Sequence, residues 1–218
     1  MKPMKHNETP DSRKIVLSRG EETANAALHG AGVLLGAAGL ALLAAAAPAA
    51  LPESAIFASA MILMFLASTL YHALVPSGVK ELFRVFDHQA IYLFIAGTYT
   101  PYCLLALKGA LGWAFFWFEW TLALAGIVLS ALKCRFLKKA ELAVFILMGW
   151  AILAGAVPLS RALSTRSMVL LFAGGAAYTA GTFWYRAGKP RAHAIWHLFV
   201  LAGAACHWFS VWFLCLTA

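Results

Sequence analysis

Two histidines four residues apart, His193 and His197, lie in RAHAIWHLFVLAGAACHW (191–208), where almost everything else is apolar or small. On a helix this spacing sets both rings on one face, about one turn apart. That suits two ligands on one metal ion, although such a pair alone is a weak signal. Ser68 and His72 repeat the spacing in ASTLYH (67–72), where a packing serine and an interfacial histidine are an equally good explanation. Asp87 stands at the head of another apolar run. Glu22, Asn25 and His29 share a helical face at spacings of three and four, and an acidic helix start is the competing explanation. His207 lies ten residues past His197, about 15 Å further along a helix, too far to share a metal and read as a hydrogen-bonded core histidine. His6, His88 and Glu119, the last in WAFFWFEW (113–120), read as interfacial residues.

The elements that must position these residues follow from composition. The 218 residues are 62% hydrophobic and 12% charged, about half the charge of a soluble domain. Seven stretches are long enough to cross a bilayer: 24–47, 54–75, 88–107, 112–132, 141–159, 167–185 and 195–217. The expectation is an all-α integral membrane protein, a bundle of seven transmembrane helices over 21–218 behind a polar tail at 1–20. No apolar signal-peptide core precedes the first span. With the N-terminus cytoplasmic and the C-terminus outside, only Lys108, Arg161 and Arg166 of the 17 Lys and Arg residues fall on the outer side. Inner-leaflet anchoring accounts for the net charge of +8 without a nucleic-acid partner. The four cysteines form no CxxC pair and read as apolar filler. Gly32 and Gly36 form a GxxxG pattern that suits close helix packing.

This topology brings the scattered polar residues to one depth. The starts of the first, third and seventh spans and the end of the second all fall at the cytoplasmic side. Polar residues inside spans are costly and face the bundle interior. Three histidines without cysteine partners suit a catalytic zinc with an open fourth position. Asp87 can orient a water or act as general base. Ser68 can donate to a developing oxyanion or orient His72.

The motifs EETANAALHGAG, ASTLYH, FDHQAIYLFIAGTYTPY and HAIWHLFVLAGAACHW, in this order and spacing, resemble those of the hemolysin III family. That family is the bacterial branch of the progestin and adipoQ receptors, within a superfamily that includes the alkaline ceramidases. The resemblance covers residues 20–218. It implies a seven-helix membrane protein of the bacterial plasma membrane with a zinc ion near the cytoplasmic side. It implies that His72, His193 and His197 hold the zinc, that Ser68 and Asp87 are the serine and aspartate of the pattern, and that Glu22 and His29 belong to it. The membrane lipid is then a substrate or a ligand, and the sequence specifies no oligomeric state.

Three functions are open at this stage: a zinc-dependent hydrolase of a lipid amide or ester, a lipid-binding receptor with structural zinc, and a cytolysin or channel. No amphipathic insertion segment supports the last. The charge asymmetry predicts that a reporter fused after Ala218 is active outside the cytoplasm. Activity inside would reverse the topology.

Overall fold

The computed structural model describes residues 17–132 and 134–217, with no account of the side chains of residues 135–139 and 190. Most of the expected tail, including His6, therefore lies outside the described residues. Among the described residues every regular element is helical. The helices are α1 (Arg19–Ala46), α2 (Leu51–Ala73), α3 (Gly78–Pro101), α4 (Gly109–Ala131), α5 (Arg135–Trp150), α6 (Ala156–Ala162), α7 (Thr165–Arg186) and α8 (Pro190–Cys215). Helices α5 and α6, joined by a 3-10 turn over Ala151–Gly155, together form the fifth span.

Helix starts follow local chemistry. Ser18 and Glu21 close a capping box at the head of α1: the Ser18 Oγ accepts from the Glu21 N–H while Glu21 accepts from the Ser18 N–H. The Ser77 side chain caps α3 by accepting from the Lys80 N–H, and Ser164 caps α7 in the same way. Thus α1 and α3 begin before the apolar stretches that identify them, because their first turns are polar and need no lipid. Pro52 and Pro190 stand in first turns, where a missing N–H costs nothing.

Among the described residues, six spans meet the length and hydropathy expected of a membrane crossing. The exception is α7, whose 22 residues include three glycines and several Ser and Thr. Small residues let α7 pack antiparallel along α8, so that it takes the place of a seventh span. Helices α1 and α2 pack closely over Gly32, where a Cβ would run into the Phe65 ring. Helix α1 also touches α8, and α3, the most enclosed span, packs on α2, α4, α5 and α8. Leu34, Leu63, Leu147 and Phe183 point outward, as side chains facing lipid do.

Two irregularities shape the interior. Pro101 ends α3, and the chain continues as a π-helical segment over Tyr102–Leu107. In the fifth span Pro158 removes one donor, and the ladder tightens to 3-10 just before it. Tyr99 on α3 secures that break: its hydroxyl donates to the Met148 carbonyl at 2.7 Å and accepts from the Ile152 N–H at 2.7 Å. Tyr99→Phe removes these bonds from a buried site. We expect it to lower stability by about 1–3 kcal/mol in thermal unfolding of the purified protein. An unchanged melting temperature would mean that the turn holds itself.

Candidate metal centre

Four helix ends meet at one end of the bundle: the starts of α1, α3 and α8 and the end of α2. His72, in the last turn of α2, and His193 and His197, in the first two turns of α8, bring their ring nitrogens together. His72 Nε2 lies 3.1 Å from His197 Nε2 and 3.4 Å from His193 Nε2. His72 and His197 are buried, and His193 is half-buried.

The hydrogen bonds behind these rings decide what the cluster can do. Glu22 on α1 accepts from His72 Nδ1–H at 2.6 Å. A carboxylate has no proton to give, so His72 carries a hydrogen on Nδ1, and in the neutral ring that leaves Nε2 bare toward the cluster. One in-plane lone pair accepts one hydrogen bond, yet two other imidazole nitrogens converge on it. A cation resolves this crowding. Three nitrogens ligating zinc tetrahedrally at 2.0–2.1 Å stand about 3.3–3.4 Å apart, close to the two separations found here. His72, His193 and His197 could therefore hold a metal ion.

His197 is backed as well. Its Nδ1 lies 2.6 Å from Nε2 of His29 on α1. Glu22 and His29 thus stand behind the rings of two candidate ligands, a position that fixes ring orientation and tautomer. Asn25, between them on α1, is fully buried, and neither of its amide atoms has a partner.

Ser68, one turn before His72, is buried with its hydroxyl unpartnered. Asp87 on α3 faces Ser68 and His72, its carboxylate beside the Ser68 hydroxyl without closing a hydrogen bond of ordinary geometry. Ser68, Asp87, His193 and His197 line one end of a cavity of about 180 Å³. The cavity runs inward between α3, α5, α7 and α8, past Phe94, Ile95 and Val200, to Tyr102 and His207.

Sequence reading missed Lys80. Its Nζ donates to the second Glu22 oxygen at 2.6 Å and to the Leu74 carbonyl at 3.1 Å, and lies over the Tyr71 ring. In the sequence it is only one of the many Lys and Arg residues on the inner side. His88 is not a plain interfacial residue: it bonds Glu141 on α5 at 3.1 Å and lines the cavity mouth. Glu119 is not interfacial either. It is fully buried, and neither of its oxygens has a partner. In a helix with aromatic residues all round it, no buried face is legible from residue spacing.

Fold and site define a multi-pass helical membrane protein whose three-histidine cluster could hold a metal ion. The sequence matches the haemolysin-III related family over residues 17–208, and the chain belongs to that family. It is 41% identical over 199 residues to Hemolysin-3 of Bacillus cereus, covering 88% of this chain and 91% of that protein. It is 43% identical over 205 residues to the Hemolysin-3 homolog of Bacillus subtilis (strain 168), covering 90% and 95%. The human Monocyte to macrophage differentiation factor is 30% identical over 164 residues, covering 72% of this chain and 68% of that protein.

The geometry separates candidate ligands from the groups that stand behind them. His72→Ala, His193→Ala and His197→Ala are each expected to abolish stoichiometric metal in the purified protein. Glu22→Gln is expected to weaken metal affinity by about 10–100-fold. Metal content by elemental analysis, with titration of a chelator for affinity, checks both. Full metal in His197→Ala would discard the assignment.

Proposed function

We propose that the protein is a zinc-dependent hydrolase of a lipid amide or ester, working at the inner leaflet of a bacterial plasma membrane. The observation that carries this reading is the meeting of three convergent imidazoles, an uncommitted carboxylate and an unpartnered hydroxyl at the mouth of an apolar cavity. An all-imidazole donor set without thiolate fits a zinc with an open coordination position better than a closed structural site. When bound, zinc there supplies Lewis acidity, polarising a carbonyl and making water nucleophilic near neutral pH.

The chain's own residues do the rest. The apolar wall of the cavity takes the hydrocarbon chain and leaves the carbonyl at the histidine end. Asp87 accepts a proton from the water that attacks the carbonyl carbon. The Ser68 hydroxyl donates to the carbonyl oxygen as negative charge gathers there. The C–N or C–O bond then breaks. Asp87 returns its proton to the departing amine or alkoxide, and a carboxylic acid is left. Glu22 and Lys80 do not touch the substrate; they hold the His72 ring.

Asp87→Asn keeps the side chain's shape and its hydrogen-bonding ability but cannot accept the proton. It is expected to keep metal and fold and to lose turnover by about 10²–10⁴-fold. Ser68→Ala loses one neutral hydrogen bond and should cost about 0.5–1.5 kcal/mol. The test is release of fatty acid from a bacterial lipid extract, with wild type and both variants side by side. Equal release from wild type and Asp87→Asn would remove Asp87 from the mechanism. No release from wild type would exclude hydrolysis and favour a lipid-binding regulator.

A further inference from the structure

Among the described residues, four that line the cavity each carry a buried polar atom without a partner. Two, His29 Nδ1 and Ser68 Oγ, belong to the histidine end. The other two are Tyr178 Oη and His207 Nδ1, at the far end. His207 lies ten residues beyond His197 on α8, about 15 Å deeper. The wall between the two ends is largely apolar, with Phe94, Ile95 and Val200 among its residues.

The far pair is firmly built. The His207 ring sits against Gly174 of α7, where a Cβ would overlap its Cδ2 and Nε2 atoms. The Tyr178 ring sits against Gly203 of α8, where a Cβ would again overlap the ring. Each helix thus provides a glycine for the other's ring, and the two rings meet edge-on with centroids 5.4 Å apart. His207 Nε2 lies 3.1 Å from the Leu171 carbonyl. A carbonyl only accepts, so the hydrogen is on Nε2, and Nδ1 of the neutral ring is an acceptor with nothing to accept from. The Tyr178 hydroxyl can donate and has nothing to donate to. A buried acceptor and a buried donor on two touching rings, both unpaired, are costly unless a further group pairs with them. One hydroxyl group satisfies both, donating to His207 Nδ1 and accepting from Tyr178.

We propose that the far end of the cavity is a binding site for a hydroxyl group carried part-way along the hydrocarbon chain of a lipid, held between His207 and Tyr178. This rests on the reading that the cavity holds a lipid chain with its head at the histidine cluster. It adds that the preferred chain is hydroxylated well away from its carbonyl.

The test is displacement of a fluorescent fatty acid from the purified full-length protein in lipid nanodiscs. Three competitors are compared: a saturated long-chain fatty acid, the same acid with a mid-chain hydroxyl, and the same acid with its hydroxyl beside the carboxyl. Wild type is expected to bind the mid-chain hydroxy acid about tenfold more tightly than the other two. Tyr178→Phe keeps the ring against Gly203 and removes only the hydroxyl. It is expected to bring the three affinities within about twofold of one another without weakening the plain acid. His207→Gln is a second variant, expected to reduce the same preference. Equal affinities in wild type would overturn the proposal, since a bound water would then fill the gap. So would a preference that survives in Tyr178→Phe. Failure of all three acids to displace the probe would overturn the lipid-chain reading of the cavity itself, and the hydroxyl site with it.

Discussion

The burial of imidazole in a membrane bundle is the constraint on which the rest of this structure depends. Each ring carries a donor and an acceptor, and lipid offers neither a partner. His72 and His197 are sheltered from solvent, and both answer the problem through α1, whose Glu22 and His29 take up their Nδ1 atoms. Those two bonds leave the Nε2 atoms facing inward. The geometry of the cluster is thus set from behind, by a helix that contributes no nitrogen to its centre. Helix α1 begins outside the apolar zone on a capping box, and that polar start carries Glu22 to the right depth.

Much of this was legible in the sequence because it depends on local spacing and on depth. Hydropathy located the spans, and counting from their ends put His72, Asp87, His193 and Glu22 at one side before any contact was known. The i, i+4 pair on α8 and the Ser68–His72 pair on α2 are intrahelical and survive folding unchanged. What could not be read depends on how helices rotate against one another. That Glu22 would reach His72, fifty residues away, and that Lys80 would reach Glu22 are facts of interhelical register. The burial of Glu119 has the same origin. So does the cavity, whose wall includes Tyr99 and Tyr102 on either side of Pro101 and Ile152 in the 3-10 turn before Pro158.

The α7–α8 pair illustrates how small residues buy function in a membrane. By hydropathy α7 is the weakest span, and its glycines look like a defect. In the structure they admit the rings of α8, and Gly203 of α8 admits a ring of α7 in return. Such close approach lets polar aromatic side chains stand at the cavity wall while the backbones keep their own hydrogen bonds. A bulkier, greasier α7 would read better as a span and would close the interior. The same trade explains why apolar residues on the outer faces, such as Leu147 and Phe183, say little about the site.

Charge narrows the roles further. Two carboxylates, Glu22 and Asp87, stand near the histidines, and they are not equivalent. Glu22 spends one oxygen on His72 and the other on Lys80, whose cation balances its charge. A carboxylate with both oxygens engaged in this way is fixed in place and has none left for an incoming group. It serves to orient. Asp87 has the Ser68 hydroxyl and two histidines, His88 and His72, beside it, and no lysine or arginine bonded to it. On the proposed reading, a divalent ion held by three neutral imidazoles brings positive charge into a region of low dielectric, where an uncompensated charge is expensive. Asp87 is the carboxylate left to compensate it, and it faces the cavity where the carbonyl would lie. On that reading, the pairing of Glu22 with Lys80 leaves Asp87 free to act: it satisfies the orienting carboxylate within the protein, so that the second carboxylate would answer to whatever enters the site.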